Sequence, residues 1–327
     1  MNSGFKTTDG LMRHLRNNGI DISGSAEKRQ LINTGYYHGY KGYRFYYTAS
    51  QRLPFQTYRE IYATIQYDSA LKNLFYGKVM FIETAIKNIA LERIMLNARS
   101  EKISDILDRV VSSYANSPPP LNEKLKNKLQ LNKLNLQKSI HSSLANAYYK
   151  RNPKIVHFYN NGYSEVPIWA LFEILTMGDF GFLLSCLTYD VRNDISNALG
   201  IDTSCDTDRS LVFRYIYLLK DLRNAIAHNA VVFDTRFRAF DLPKGMKQFL
   251  KLKVGLPYVN FSTIGDYVIL ICFFLKQLRV SKTEIRAFIR EFEKITADYK
   301  KSVNSHVSDK VIHPDLSSRM NRLKNYI

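Results

Sequence analysis

Apolar residues recur three and four positions apart in nearly every long segment of this chain, and that spacing constrains the fold more than any other feature. Phe75, Val79, Ile82, Ile86 and Ile89 form one such series, and Ile103, Ile106, Leu107, Val110, Val111 and Tyr114 form the next. At about 100° per residue each series lies along one side of a helix, and that side must be buried against a neighbour. Strand-like alternation is confined to residues 43–48 and 231–237, each short enough to be an ordered loop or part of one small hairpin. Start and stop signals agree with helices. Ser25 opens a helix over 26–33 that Gly35 ends, and Ser281 with Glu284 has capping-box spacing ahead of 285–299. The spacing predicts an all-α chain without an internal repeat.

Breakpoints fall at the Gly- and Tyr-rich stretch 35–47, at Ser117-Pro118-Pro119-Pro120, and over 241–257 with Pro243, Gly245, Gly255 and Pro257. They divide the 327 residues into an N-terminal element (1–50), a helical core (51–240) and a C-terminal helical lobe with a basic tail (241–327). Residues 1–19 are polar and basic, unlike a signal peptide. The longest apolar run, 267–275, is about half of the ~20 residues needed to span a bilayer and reads as a buried helix. Cys186, Cys205 and Cys272 offer neither a C-x-x-C pair nor an even count, so a disulfide framework and a cysteine zinc site are not expected. The expectation is a soluble, cytoplasmic protein that needs no metal and no cofactor.

Lys and Arg number 47 against 29 Asp and Glu, a net charge of +18. Such an excess points to a polyanionic partner, RNA before an acidic membrane surface, because no basic amphipathic helix with exposed Trp or Phe stands out. Over 121–154, Lys124, Lys126, Lys128, Lys133, Lys138, Lys150, Arg151 and Lys154 face the single acid Glu123. This block either lines an RNA groove or is a solvated helix face, with Leu121, Leu125, Leu129, Leu136 and Ile140 as its apolar side. Tyr36, Tyr37, Tyr40, Tyr43, Tyr46 and Tyr47, interleaved with Lys41 and Arg44, either stack unpaired bases or pack an irregular segment onto the core. Trp169, among Ile168, Leu171, Phe172 and Leu175, reads as core. Glu83 and Lys87 read as a surface pair, with an inward-facing Glu83 near His228 as the alternative. His38, His157, His306 and His313 show no ligand spacing and read as structural or solvated.

One constellation carries chemistry: Arg223-Asn224-Ala225-Ile226-Ala227-His228, at the end of the helical series Leu211, Tyr215, Leu218, Leu219, Leu222 and Ile226. Asn224 and His228, four apart, share a face; Arg223 lies about 140° around but is long enough to reach the same cleft. An RNA strand carries its own nucleophile, the 2′-hydroxyl. Cleavage therefore needs a base for that proton, an acid for the leaving 5′-oxygen and positive charge on the phosphorane. His228 serves as base or acid, Arg223 offers a fork for phosphate oxygens, and Asn224 fixes the imidazole or holds ribose-phosphate. One histidine is not two catalysts, so pairing of two motifs across a homodimer completes the site. The competing reading is a helix end whose Arg and His interact with the last carbonyls.

Leu222-Arg223-Asn224-Ala225-Ile226-Ala227-His228-Asn229 resembles the R-N-x-x-x-H signature of HEPN proteins, and in particular the L-R-N-x-x-A-H-H segment of the Abi-like (AbiD and AbiF) abortive-infection family of bacteria. Tyr36-Tyr37-His38-Gly39-Tyr40-Lys41-Gly42-Tyr43 is similar to that family's N-terminal Y-Y-R-L-S-G-Y element, followed in order by Phe55, Tyr67-Asp68 and residues 82–87. Pro167-Ile168-Trp169 through Gly178 resembles its P-x-W-x-x-x-E-x-x-x-x-G segment. Asn229 stands where the family usually has a second histidine, and Val231 where an arginine is common. The resemblance implies an all-α HEPN-type bundle that dimerises and cleaves RNA without metal, leaving 2′,3′-cyclic phosphate ends, as a phage-defence toxin paired with a structured small RNA. By position Arg223 and His228 carry catalysis and Asn224 supports them. Expected RNA contacts are Tyr36, Tyr37, Tyr40, Lys41, Arg44, Lys124, Lys126, Lys128, Lys133, Lys150 and Arg151. The alternative is a non-catalytic protein that assembles a ribonucleoprotein with such an RNA.

Overall fold

The computed structural model describes residues 6–113, 122–202, 204–238 and 243–327. Among them are fifteen α-helices, one π-helical turn and no strand, so the all-α reading holds. In chain order the helices are α1 (Thr8–Asn17), α2 (Gly24–Thr34), α3 (Tyr58–Ala98), α4 (Ile103–Arg109), α5 (Glu123–Tyr149), α6 (Pro153–Asn160), α7 (Ile168–Ile174) and α8 (Met177–Cys186). They continue as α9 (Tyr189–Ala198), α10 (Leu211–Ala227), α11 (Lys244–Val254), α12 (Ile264–Gln277), α13 (Lys282–Ser302), α14 (Ser305–Val311) and α15 (Leu316–Tyr326). Tyr114, the 117–120 proline run and residue 241 lie outside the described residues.

The predicted helix over 26–33 starts earlier, with Ser23 rather than Ser25 as its N-cap, and it runs to Thr34, where Gly35 ends it as its C-cap. With φ at +75°, Gly35 redirects the chain into a π-helix, Gly35–Lys41. A Cβ on Gly39 would sit 2.9 Å from Thr34 Oγ1, so that turn closes against α2 only with glycine there. Residues 43–48 and 231–237 are ordered loops, the first holding a single bridge between Phe45 and Arg52. At the other end Ser281 caps α13, accepting from the Glu284 amide at 3.2 Å.

The chain divides into two compact units. The first is drawn from Met1–Val79, Asp221–Asp241 and Leu250–Ile327. Its centre is α12, buried on every side from Ile264 to Leu275, as its apolar run required. No described helix is long and apolar enough to cross a membrane. The inner face of α13 packs on the first half of α3: Tyr299 stacks on Tyr67 at 4.4 Å, and Phe288 lies 6.1 Å from Phe75. Full burial of each such ring contributes about 1.5–3 kcal/mol, with about 0.5–1.5 more per aromatic pair. A fully buried Asp266–Arg319 ion pair ties α12 to α15.

The second unit is drawn from Met80–Lys220 and Leu242–Phe249. Here α5 packs on α6, α7 and α8 through Leu136, Ile140, Leu144 and Ala147. The apolar side expected at its beginning is not buried: Leu125, Leu131 and Leu134 are exposed and Leu129 is half-buried, while Leu121 lies outside the described residues. A Cβ on Gly181 would sit 3.1 Å from the Tyr217 ring, which fixes how closely α8 approaches α10. The second half of α3 supplies the buried stripe Ile82, Ile86 and Ala90, with Ile89 half-buried at its margin.

Candidate functional site

Leu222 and Ala225 anchor the end of α10 in the first unit's core, with Ile226 half-buried beside them. The helix closes in a Schellman motif: the Ala230 amide donates to the Ala225 carbonyl at 2.8 Å and the Asn229 amide to Ile226 at 3.1 Å. Asn229 takes the left-handed conformation this needs, with φ at +52°. His228 is thus the capping residue of α10, solvent-exposed, its own amide still bonded to the Asn224 carbonyl at 2.9 Å. Arg223 and Asn224 are half-buried one turn earlier, and Arg223 Nη1 donates to Asn224 Oδ1 at 3.1 Å. The side-chain oxygen of Asn224 thereby braces the guanidinium of Arg223. Such an end offers a steadied cationic fork and an imidazole open to solvent.

Just beyond the motif the chain is held by two buried carboxylates that the sequence reading did not single out as functional. Asp68, on α3 and fully buried, accepts from the amides of Val232 at 2.7 Å and Phe233 at 2.8 Å, from the Tyr43 hydroxyl at 2.7 Å, and pairs with Lys72 at 2.8 Å. These donors are why 231–237 is ordered without joining a sheet. Asp234, also fully buried, accepts from the Tyr47 amide at 2.7 Å and pairs with Arg236. Arg236 in turn donates to the carbonyls of Gly42 at 2.9 Å and Phe45 at 2.7 Å, its guanidinium 4.2 Å over the Phe45 ring. The tyrosine-rich segment and the segment after the motif are therefore clipped together. Sequence signals existed for both: an Asp–Lys pair four apart on a helix, and an Asp-x-Arg pair in a short apolar stretch.

Lys72 also donates to Asn229 Oδ1 at 2.8 Å, and Asn229 Nδ2 lies 3.1 Å from His38 Nε2. His38, read as structural or solvated, stands exposed at the π-helix with its ring edge-on to Tyr43. Val231 is buried.

Of the aromatic residues expected to meet RNA, Tyr37 is exposed, with Lys41 Nζ 4.4 Å over its ring, while Tyr36, Lys41 and Arg44 are half-buried. Tyr40 is buried against Tyr36, their centroids 5.5 Å apart, so its ring is committed to packing and not free to stack on a base. Burial lifts the phenol of Tyr43 well above its ordinary value and that of Tyr46 to about 12.

The basic block lies in the second unit. Lys124, Lys126, Lys128, Lys150 and Arg151 are exposed on or just after α5, and Lys133 pairs with Asp108 at 2.9 Å. Glu83 is buried rather than on the surface and pairs with Lys87 at 3.0 Å. Trp169 is not core: it is 39% exposed on the wall of an open cavity of about 780 Å³ that Phe158, Tyr163, His157, Lys102 and Lys154 also line. Its indole donates to Glu101 at 3.1 Å. Among the described residues no group of three His, Cys, Asp or Glu side chains is placed to hold a metal ion.

Fold and site together define an all-helical, strongly basic protein that displays an Arg-Asn-x-x-x-His end at the surface of one unit. The chain belongs to the Abi-like protein family, whose pattern matches residues 29–234 and so takes in the π-helix, Asp68, Lys72, the motif and Asp234. No curated protein and no solved structure matches it.

Proposed function

We propose that this chain is a HEPN-type endoribonuclease of abortive infection, a phage-defence toxin that works as a homodimer and pairs with a structured small RNA. The observation that carries the reading is the end of α10: an exposed His228 one turn beyond an Arg223 braced by Asn224, in a chain of the Abi-like family. The net charge of +18 supports an RNA partner.

In this mechanism His228 takes the proton of a ribose 2′-hydroxyl as the 2′-oxygen attacks the adjacent phosphorus. The bond to the 5′-oxygen breaks, that oxygen receives a proton, and the products are a 2′,3′-cyclic phosphate and a 5′-hydroxyl. Arg223 holds two non-bridging oxygens and offsets the charge that grows on them. The leaving-group proton comes from the motif of the second copy. No step needs a bound metal, so cleavage persists in EDTA.

The test is RNA sequencing with end-mapping on protein purified without nuclease, alongside His228→Ala. Cyclic phosphate ends that disappear in the variant while RNA stays bound support the enzyme. Bound, uncut RNA in both proteins makes the chain an RNA-binding protein instead.

A further inference from the structure

The Lys72–Asn229–His38 chain fixes more than the loop it braces. Lys72 Nζ carries only donors, so the Asn229 atom 2.8 Å from it is the amide oxygen. That orientation turns the amide NH2 toward His38, where Nδ2 lies 3.1 Å from Nε2. An N–H aimed at a ring nitrogen needs a lone pair there. For this contact to be a hydrogen bond Nε2 has to accept, and the one N–H of the neutral ring is then on Nδ1. Lys72 itself cannot swing away, because Asp68, fully buried, holds it at 2.8 Å. This geometry favours an exposed histidine with Nε2 as acceptor and Nδ1–H as the outward donor. It sits within hydrogen-bond reach of the residue that follows His228. Lys41, three positions further along the π-helix, adds positive charge on the same element.

We propose that His38 is a phosphate-binding residue of this site: its Nδ1–H donates to a non-bridging oxygen of the RNA phosphodiester presented to Arg223 and His228, while Lys72 and Asn229 position the ring. The role takes its ligand from the ribonuclease reading and supplies, from the same chain, a second imidazole that transfers no proton. Glutamine copies both halves of the arrangement, since Oε1 can accept from Asn229 and Nε2 can donate outward. Leucine copies neither.

The experiment measures binding of a 2′-O-methyl RNA oligonucleotide, which cannot be cleaved, to wild type, His38→Gln and His38→Leu. The 15N shifts of the His38 ring are recorded in parallel. Expected are an Nε2 shift in the unprotonated range, affinity weakened about tenfold or more in His38→Leu, and recovery to within about threefold in His38→Gln. Asn229→Gly, which keeps the left-handed backbone but frees the ring, is expected to move the 15N shifts toward a tautomer mixture. A protonated Nε2 in wild type, equal affinity in His38→Leu, or failure of glutamine to rescue overturns the proposal. His228→Ala on cleavable RNA reports the ribonuclease reading separately: loss of cutting there with equal binding in His38→Leu means that only the His38 assignment falls.

Discussion

Replacing Asp68 separates charge from hydrogen bonding inside the first unit. In Asp68→Asn one oxygen remains for the Val232 and Phe233 amides, which both bond Oδ1. The other position becomes an NH2 facing the Lys72 ammonium and the Tyr43 hydroxyl. Tyr43 can turn its hydroxyl to accept. Lys72, whose side chain is 8% exposed, has lost its counter-charge. Removing one partner of a buried pair costs about 3–5 kcal/mol, so Asp68→Asn is expected to lose that much in urea unfolding followed by helical ellipticity. Asp68→Ala loses at least as much and strips both amides of their acceptor, each orphan costing about 1–3 kcal/mol. Adding Lys72→Met to Asp68→Asn removes the stranded charge and is expected to recover most of the loss. Amide exchange supplies a second readout: Val232 and Phe233 stay protected in the Asn variant and open in the Ala variant. The reasoning is refuted if Asp68→Asn costs less than about 1 kcal/mol, or if Lys72→Met deepens the defect instead of relieving it.

Three further outcomes follow from the same structure. Asn229→Ala places a Cβ-bearing residue with no local hydrogen bonding at φ +52°, so it should be less stable than Asn229→Gly by about 1 kcal/mol, measured by thermal unfolding. The triple change of Lys124, Lys126 and Lys128 to Ala touches exposed positions in the first two turns of α5, where no residue is buried. It should leave unfolding unchanged while making the dependence of log affinity for single-stranded RNA on log salt shallower by up to about 2. Asp315 is raised by burial, but the Tyr258 hydroxyl at 2.5 Å and the hydrogen bond and charge of His313 outweigh it and hold the carboxyl below its ordinary value. A carboxylate depressed in the folded state adds stability above the unfolded value of about 3.9 and loses it as pH falls through the lower folded value. The stability gap between wild type and Asp315→Asn should therefore be widest near pH 6 and narrow toward pH 3. A gap that holds constant across that range counts against the pairing.

Much of the helix content was legible because periodicity reports directly which face a residue occupies. The stripe of α3, the burial of α12, the Ser281 cap and the place of Arg223, Asn224 and His228 at the end of a helix all emerge from residue type and spacing. What covers a face is not in its spacing. Leu125 keeps helical register yet stays in solvent, and Trp169 sits in an apolar run yet lines an open cavity. Gly35 ends α2 as its stop signal predicts, but the π-turn that follows, closed against Thr34 through Gly39, is written in no local pattern. Asp68 lies hardest to find. Its acceptor role is defined by amides 164 and 165 positions away, which no local pattern encodes.

The two buried carboxylates explain how an exposed histidine can be held still. His228 has little packing of its own, and a side chain in that position ordinarily follows a loose helix end. Here the helix before it is anchored by Leu222 and Ala225, and the chain resumes a fixed path at Val232, where Asp68 takes two successive amides. Only residues 229–231 lie between, with the first in a left-handed Schellman geometry bonded by its side chain to Lys72 and the last buried. Asp234 and Arg236 then fasten the same stretch to the tyrosine-rich segment. Rigidity comes from buried ion pairs behind the site rather than from contacts to the imidazole. In the proposed reaction the exposed ring meets substrate while its backbone is placed beforehand, which is the arrangement that lets electrostatic and proton-transfer groups act without reorganising.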